Sequence, residues 1–254
     1  MKKADYGYED ILTALRKLGV QEGDDLFLHS NLGFFGRPEG CSSGEELCAL
    51  FEKALRTSVG ESGTVIVPTY SYSYCRGEIY DPYAAGTTCG SLADYMRRKY
   101  PENRTLDPNF SVCGVGGRIQ EYQKCNIHES FGTGCFWDML MEHDGKILCM
   151  NVHAASTMVH FIECRNQVGY RYNKAFNGES LIDGKRKKDY AVHFCCDDEE
   201  SRPDVDRITE LCRTGGIMKE ESLGKGLIGA YSAKEFFSFF SGLLEKNERA
   251  LCIG

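Results

Sequence analysis

The 254-residue sequence lacks the features that define several protein classes. It has no Cys-x-x-Cys or His-x(3–5)-His spacing, so the common zinc sites are not indicated. No window approaches 18 consecutive apolar residues, and an acidic amphipathic stretch follows the N-terminus where a secretory signal would be apolar. Basic residues are outnumbered, with 30 Lys and Arg against 37 Asp and Glu. We therefore expect neither a nucleic-acid nor a membrane partner.

Proline is also scarce, at six residues, and we find no Pro/Ser-rich linker, internal repeat or low-complexity segment. The composition is otherwise close to the globular average, which predicts one compact domain over residues 1–254. Cysteine is abundant, at 13 residues, and the odd count leaves at least one thiol unpaired. Because a secretory signal is not apparent, we expect a cytoplasmic protein with reduced and mostly buried cysteines.

Helical and apolar strand patterns alternate over the first 170 residues. This alternation predicts a layered α/β/α fold around a central mixed, largely parallel sheet. The segments are a helix over Tyr8–Leu18, a strand over Asp25–His29, a helix after the cap residue Ser43, and strands over Gly63–Pro68 and Ile147–Val152.

The pattern changes near residue 180. Ser180–Ile182 and Tyr190–Cys195 flank Asp183-Gly184 and a run of four basic residues, which predicts an antiparallel hairpin with a basic tip. Helices over Asp204–Arg213 and Ser232–Leu244 are expected to complete this C-terminal part of the chain.

The segment 149–165 is the most informative for chemistry. A buried strand ends near Val152, and a helix capped by Ser156 or Thr157 can begin after it. The i, i+3, i+6 spacing of Thr157, His160 and Glu163 then places a hydroxyl, an imidazole and a carboxylate together at the carboxyl end of a strand. An imidazole can accept a proton there while the carboxylate fixes its tautomer. The alternative is a half-buried core histidine.

Two other segments have polar groups at strand ends. His29 and Ser30 end the first apolar strand, where a hydroxyl and backbone amides can hold a phosphate or an amide-rich arm. In the segment 104–112, Asp107-Pro108 forces an extended turn between Arg104 and Ser111. Arg104 can pair with a phosphate, although a surface ion pair is the commoner role of such an arginine.

Together these segments resemble the aminoglycoside 3-N-acetyltransferase family. The family's His-Ser-Ser-Leu loop is similar to residues 29–32, and its Gly-Thr-x-x-x-Pro-Thr-Phe strand end is similar to residues 63–70. Its Arg-Ser-x-His-Pro-x-x-Ser-Val segment resembles residues 104–112. Its Gly-Lys-x-Leu strand resembles residues 145–148, and the Thr-x-x-His-x-x-Glu motif that follows resembles residues 157–163. The four motifs occur in the family's order. Asn31 and Asp107 depart from the family pattern.

The resemblance implies an acetyl-CoA-dependent N-acetyltransferase that acts on an aminoglycoside or related amino sugar, as a monomer or homodimer. We expect direct transfer, in which His160 deprotonates the acceptor amine with help from Glu163 or, as a second candidate, Asp198. The expected contacts to the CoA arm or its phosphates are His29, Ser30, Asn31, Leu32, Arg104, Thr105, Ser111, Val112 and Thr157.

The acceptor is expected near a tyrosine-rich segment. Tyr70 and Tyr72 can stack on a sugar face, although alternating Tyr and Ser is equally typical of a half-exposed strand. Glu78 and Asp81 are candidate partners for ammonium groups. Two alternatives remain open: an acyltransferase or amidase with a cysteine nucleophile, and a non-enzymatic metal-binding or ligand-binding module that uses His193, Cys195 and Cys196.

Overall fold

A six-stranded mixed sheet lies at the centre of the protein in the computed structural model, which describes residues 4–196 and 198–254. In chain order the strands are β1 (Asp25–Ser30), β2 (Thr64–Pro68), β3 (Val112–Gly116), β4 (Lys146–Met150), β5 (Arg171–Ile182), β6 (Lys185–Cys196), β7 (Lys219–Leu223) and β8 (Gly226–Ser232). The central sheet has the order β3-β2-β1-β4-β8-β7. Strands β2, β1 and β4 are parallel, whereas β3, β8 and β7 pair antiparallel to their neighbours.

Helices cover both faces of this sheet. They are α1 (Tyr8–Lys17), α2 (Gly44–Val59), α3 (Ser91–Lys99), α4 (Ile119–Tyr122), α5 (Phe136–Glu142), α6 (Met158–Arg165), α7 (Val205–Thr214) and α8 (Ala233–Leu244), with short 3₁₀ turns at Leu32–Phe35 and Pro101–Asn103. The alternation of side chains along β1 separates two cores: Leu26 and Leu28 pack with α1, α2 and α3, and Phe27 packs with α5, α6 and α8. The predicted α/β/α layers and mixed sheet are confirmed. No helix in the described ranges is long and apolar enough to cross a lipid bilayer.

Strands β5 and β6 form a separate two-stranded sheet. Asp183 and Gly184 turn the chain between them with φ of +50° and +72°, as the Asp-Gly pair predicts. The hairpin is much longer than expected, because each arm extends over 12 residues. Most of its side chains are exposed, so its apolar pattern is too weak to show its full length.

The predicted helix starts agree with the structure where a cap is present. Ser43, Asp204 and Ser232 each accept a hydrogen bond from a backbone N–H three residues later. For α6, the Ser156 hydroxyl accepts a hydrogen bond from the Met158 amide. Thr157 is at the N-cap position, but its side chain makes no capping hydrogen bond. Strands β3, β7 and β8 are not predicted from the sequence, because their residues are short, glycine-containing or polar runs.

Candidate active site

His160 and Glu163 form a hydrogen-bonded pair on α6, one helical turn apart. Nδ1 of His160 lies 2.8 Å from Oε2 of Glu163. A carboxylate only accepts hydrogen bonds, so Nδ1 carries the proton, and in the neutral ring Nε2 keeps its lone pair. The Glu163 side chain is completely buried, whereas the His160 side chain is 27% exposed. The pair therefore has the arrangement of a general base whose tautomer is fixed by a buried carboxylate.

Two residues that sequence reasoning missed also hold Glu163. The Tyr170 hydroxyl donates to Oε1 at 3.0 Å, and Nε of Arg171 lies 2.6 Å from Oε2. Arg171 is nearly as buried as its partner, so its charge compensates the buried carboxylate. Arg171 is the first residue of β5 and Tyr170 precedes it, in the loop that follows α6. Nothing in the sequence distinguishes these two residues from other polar ones, because their contact with Glu163 joins separate elements.

His160 opens into a cleft of about 510 Å³, which we call the histidine cleft. One wall is the hairpin, and the others come from α6 and from the loops that precede β3 and α7. Its lining consists of Tyr72, Phe110, Thr157, His160, Arg171, Tyr172, His193, Phe194, Cys195, Cys196, Arg202 and Pro203. The hairpin thus contributes six of the twelve residues that line this cleft.

A second cleft, of about 560 Å³, lies at the carboxyl ends of the parallel strands, and we call it the loop cleft. This edge is where open α/β sheets bind ligands. It is lined by His29, Ser30, Asn31, Tyr70, Tyr72, Thr88, Cys89, Gly90, Ser91, Val152, His153, Ala155, Thr157 and Val205. Tyr72 and Thr157 belong to both clefts, so the two meet beside His160.

The loop cleft contains groups suited to a polar, anionic ligand. Nε2 of His29 is buried and makes no hydrogen bond to any described residue. Burial lowers the pKa of His29 to about 4, so its ring is neutral at physiological pH. Helix α3 begins at the cleft, with Gly90 as its N-cap at φ +92° and Ser91 as its first residue. Its first backbone amides supply donors and a positive end of the helix dipole.

Tyr72 forms the wall between the clefts in an unusual conformation. Its φ is +53°, a region that non-glycine residues rarely adopt. The backbone amide of Tyr72 donates to the Asn109 carbonyl at 3.3 Å, and its ring packs edge-on against Phe110. Burial raises the pKa of its phenol to about 12. The hydroxyl is therefore a hydrogen-bond donor at neutral pH.

The Arg104 segment has a different position from the one expected. Arg104 is 2% exposed, and its five N–H groups donate to Ser111 Oγ and to the carbonyls of Thr69, Pro82, Ala85 and Gly86. Thr105, Ser111 and Val112 are buried as well. The expectation that these four residues contact CoA is corrected, because their polar groups are used inside the protein.

Asp107, which departs from the family pattern, also acts within the fold. Its carboxylate accepts hydrogen bonds from the Asn109 and Phe110 amides and from the Ser130 hydroxyl. Leu32 is buried in the core under α2, so of the predicted loop only residues 29–31 reach the loop cleft.

Several other expected residues lie away from His160. Asp198 accepts hydrogen bonds from the Ser201 amide and hydroxyl at 2.7 and 2.6 Å and lies 3.8 Å from Arg249, whereas the carboxylate at His160 is Glu163. Asp81 caps a turn by accepting from the Tyr83 amide at 2.9 Å. Glu78 is exposed, and neither it nor Asp81 lines either cleft. Tyr70 and Tyr72 do line the loop cleft, and their contact with substrate stays a prediction.

A third cavity, of about 640 Å³, lies between the sheet and α7 and adjoins the loop cleft at Val152 and His153. Its carboxylates already have partners. Asp206 lies 3.3 Å from His153, and Glu220 forms a two-point contact with Arg213 at 2.8 and 3.0 Å. This cavity does not include His160 or Glu163.

Burial opposes thiolate formation at several of the cysteines. Burial raises the pKa of the Cys149 thiol to about 12 and that of Cys75 to about 11. The pKa of Cys195, in the histidine cleft, is also raised, chiefly by burial. A thiolate attacks, not a thiol, so these environments oppose a cysteine mechanism. Within the described ranges, the side chains form no group of three His, Cys, Asp or Glu residues placed to hold a metal ion.

Comparison with known proteins decides the family. The model of the family described as aminoglycoside 3-N-acetyltransferase matches residues 27–245. The chain belongs to this family. It is therefore an N-acetyltransferase.

Individual members of the family cover almost the whole chain. Aminoglycoside N(3)-acetyltransferase III from Salmonella sp and its counterpart from Acinetobacter baumannii are each 26% identical over 93% of this chain and 91% of their own length. The solved structure of AAC-VIa bound to sisomicin has a TM-score of 0.82 at 20% identity, and that of AAC-IIIb with CoASH has 0.80 at 18%. The AAC-VIa match covers 95% of this chain and 98% of that one, and the AAC-IIIb match covers 94% of this chain and 96% of that one. Both matches show that the fold is shared.

Proposed function

We propose that this enzyme transfers an acetyl group from acetyl-CoA to an amine of an aminoglycoside or related amino sugar, with His160 as general base. The observation that carries the proposal is the position of the His160–Glu163 pair. Its imidazole faces one cleft, and a second cleft reaches it at Tyr72 and Thr157. Two ligands entering by the two clefts meet at this ring.

The loop cleft fits the acetyl donor. A pantetheine arm presents amide groups, for which Ser30, Asn31 and the unpartnered Nε2 of His29 offer polar partners. The phosphates of CoA match the amides at the start of α3, where Gly90 and Ser91 line the cleft. Relatives support this choice of donor, because the solved structure of AAC-IIIb contains CoASH.

The histidine cleft then receives the amine. An aliphatic amine with a pKa near 10.4 is almost fully protonated at neutral pH and cannot attack until it loses a proton. Nε2 of His160 accepts that proton, and Glu163 stabilises the resulting imidazolium through Nδ1–H. The free amine attacks the thioester carbonyl, a C–N bond forms and the C–S bond breaks, and the CoA thiolate takes up the proton that the new amide nitrogen loses. Tyr72 and Thr157 lie where a hydroxyl can donate to the carbonyl oxygen.

The decisive experiment is thiol release from acetyl-CoA with a panel of aminoglycosides and amino sugars. We expect His160→Ala to lower kcat by about a hundred- to ten-thousand-fold while acetyl-CoA binding, measured by calorimetry, is kept. His143→Gln is the matched control. This histidine is the C-cap residue of α5, lies 3.2 Å from Glu121 and lines neither cleft. An unchanged kcat in His160→Ala would remove the residue from the role of base.

A further inference from the structure

The charged groups that line the histidine cleft are cations. Arg171 and Arg202 contribute guanidinium groups, and none of the described lining residues is Asp or Glu. Glu163 lies beneath the cleft, fully buried and paired with Arg171. Among the described residues that line the cleft, an acceptor therefore meets donors of hydrogen bonds and positive charge, with the Glu199 carboxylate beside Arg202.

The two arginines differ in how strongly each is held by its ion-pair partner. Arg171 is held in a buried pair with Glu163, and such a pair is strongly destabilised when one partner is lost. Arg202 pairs with Glu199 at 2.7 Å, but these side chains are 58% and 78% exposed. An exposed pair contributes little free energy, so a ligand can displace Glu199 from Arg202. Arg202 is the cation available for a ligand.

His193 adds a neutral polar group to the same wall. Burial, with smaller effects of His160 and Arg171, lowers the pKa of His193 to about 4. Nδ1 of His193 is buried and finds no hydrogen-bond partner among the described residues, and the ring stacks on Phe110 at 5.4 Å. A buried N–H without an acceptor is unfavourable, so the tautomer with the proton on Nε2 is favoured. His193 then offers a second donor from the hairpin wall.

A further cation lies beside the cleft. The thiol of Cys195, which lines the cleft, is influenced by the positive charges of Lys174 and Arg171. An acceptor with several ammonium groups would bring like charges next to these side chains, and such juxtaposition opposes binding. An acceptor with an oxyanion would instead gain a charge-assisted hydrogen bond to a guanidinium.

We propose, resting on the function above, that the natural acceptor is an amino sugar that also carries an oxyanion, bound by Arg202 with His193 as a second donor while the amine faces His160. Phosphate and carboxylate present the same chemistry to a guanidinium. The site thus selects against polycationic aminoglycosides although the fold and the catalytic pair are those of the family.

A matched set of acceptors tests the inference. Glucosamine, glucosamine 6-phosphate and glucosaminuronic acid share the amine and differ at one carbon as hydroxyl, phosphate or carboxylate, and sisomicin represents the polycations. Thiol release from acetyl-CoA gives kcat/KM for each with the full-length enzyme. We expect at least one of the anionic sugars to exceed both glucosamine and sisomicin by about tenfold or more, and comparison of the two identifies the oxyanion.

Substitution of Arg202 tests the residue itself. In Arg202→Gln the preference for the better anionic sugar over glucosamine should fall about tenfold through KM, and Arg202→Lys should restore part of it. Arg186→Gln is the control, because Arg186 is an exposed arginine near the hairpin turn and pairs with Glu179. There the preference should stay within twofold.

Each contrary result has a defined meaning. Higher kcat/KM for sisomicin or glucosamine, or no turnover of either anionic sugar by an enzyme that binds acetyl-CoA, overturns the inference and leaves the proposed function standing. An Arg202→Gln effect on KM for acetyl-CoA assigns this arginine to the donor and also overturns it. Failure to bind acetyl-CoA contradicts the proposed function instead.

Discussion

His160 and Arg171 contact the same oxygen atom of Glu163, at 2.8 and 2.6 Å. One carboxylate therefore orients the imidazole and balances a buried guanidinium. Because Arg171 begins the hairpin and His160 lies on α6, this oxygen also joins the helix that carries the base to the wall of the histidine cleft. The stability of the fold and the geometry of the candidate base depend on the same side chain.

Glu163→Gln should therefore impair both properties. The amide cannot balance Arg171, and an unpaired buried charge costs about 3–5 kcal/mol of unfolding free energy. It also weakens the hold on the His160 tautomer, so kcat should fall. Urea unfolding and thiol release measure the two effects. The double variant Glu163→Gln/Arg171→Gln should recover part of the stability but not the activity, and a single variant as stable as the parent would contradict the shared role.

Arg104 should behave as a structural residue. Arg104→Lys keeps the charge but offers three donors where the guanidinium uses five, so we expect a loss of about 2–4 kcal/mol in unfolding free energy. Urea midpoints check this loss. Acetyl-CoA affinity of the folded variant, measured by calorimetry at low temperature, should stay within about twofold, and a loss of affinity without a loss of stability would return Arg104 to the donor site.

Stability should decrease in mild acid through His29 and His193. The pKa values of both rings in the folded protein, about 4, lie below the ordinary value of 6.5. Between pH 4 and pH 6.5 the unfolded chain therefore binds more protons than the folded protein. The contribution is complete above pH 6.5 and is lost as pH falls towards 4, by about 1.4 kcal/mol per pH unit for each ring. Unfolding free energy across this range should show a smaller slope in His193→Asn. An equal slope would indicate that the ring is protonated in the folded protein.

CoA should not be released before the acceptor is added. Direct transfer leaves no acetyl-enzyme, and raised thiol pKa values such as those of Cys75 and Cys149 oppose a cysteine intermediate. Rapid mixing of enzyme and acetyl-CoA should give no stoichiometric burst of thiol. A burst that disappears in a cysteine variant would favour the covalent alternative.

The sequence predicts β1, β2 and β4 well because each is a strong apolar run, and it predicts the start of α2 because Ser43 is a clear cap. It also predicts the His160–Glu163 pair, since both residues lie on one helix and their spacing alone places them in contact. It could not predict that Arg171 contacts Glu163 or that His193 lies in the same cleft as His160, because these positions depend on how the hairpin packs against α6. Arg104 shows the opposite case: the motif draws attention to a residue that holds loops together inside the protein.

The hairpin has consequences for how specificity can change in evolution. Its two strands form a sheet of their own, joined to the rest of the protein by isolated bridges from Ser180 to Tyr80 and from Val192 to Glu129, and they supply six of the twelve residues that line the histidine cleft. Substitutions in the ribbon away from Arg171, which contacts Glu163, can alter the lining of the histidine cleft and leave the contact that orients the imidazole in place. Homologues with the same reaction but unrelated substrates would then differ mainly along this ribbon, and exchange of the ribbon between them offers a route to engineered selectivity.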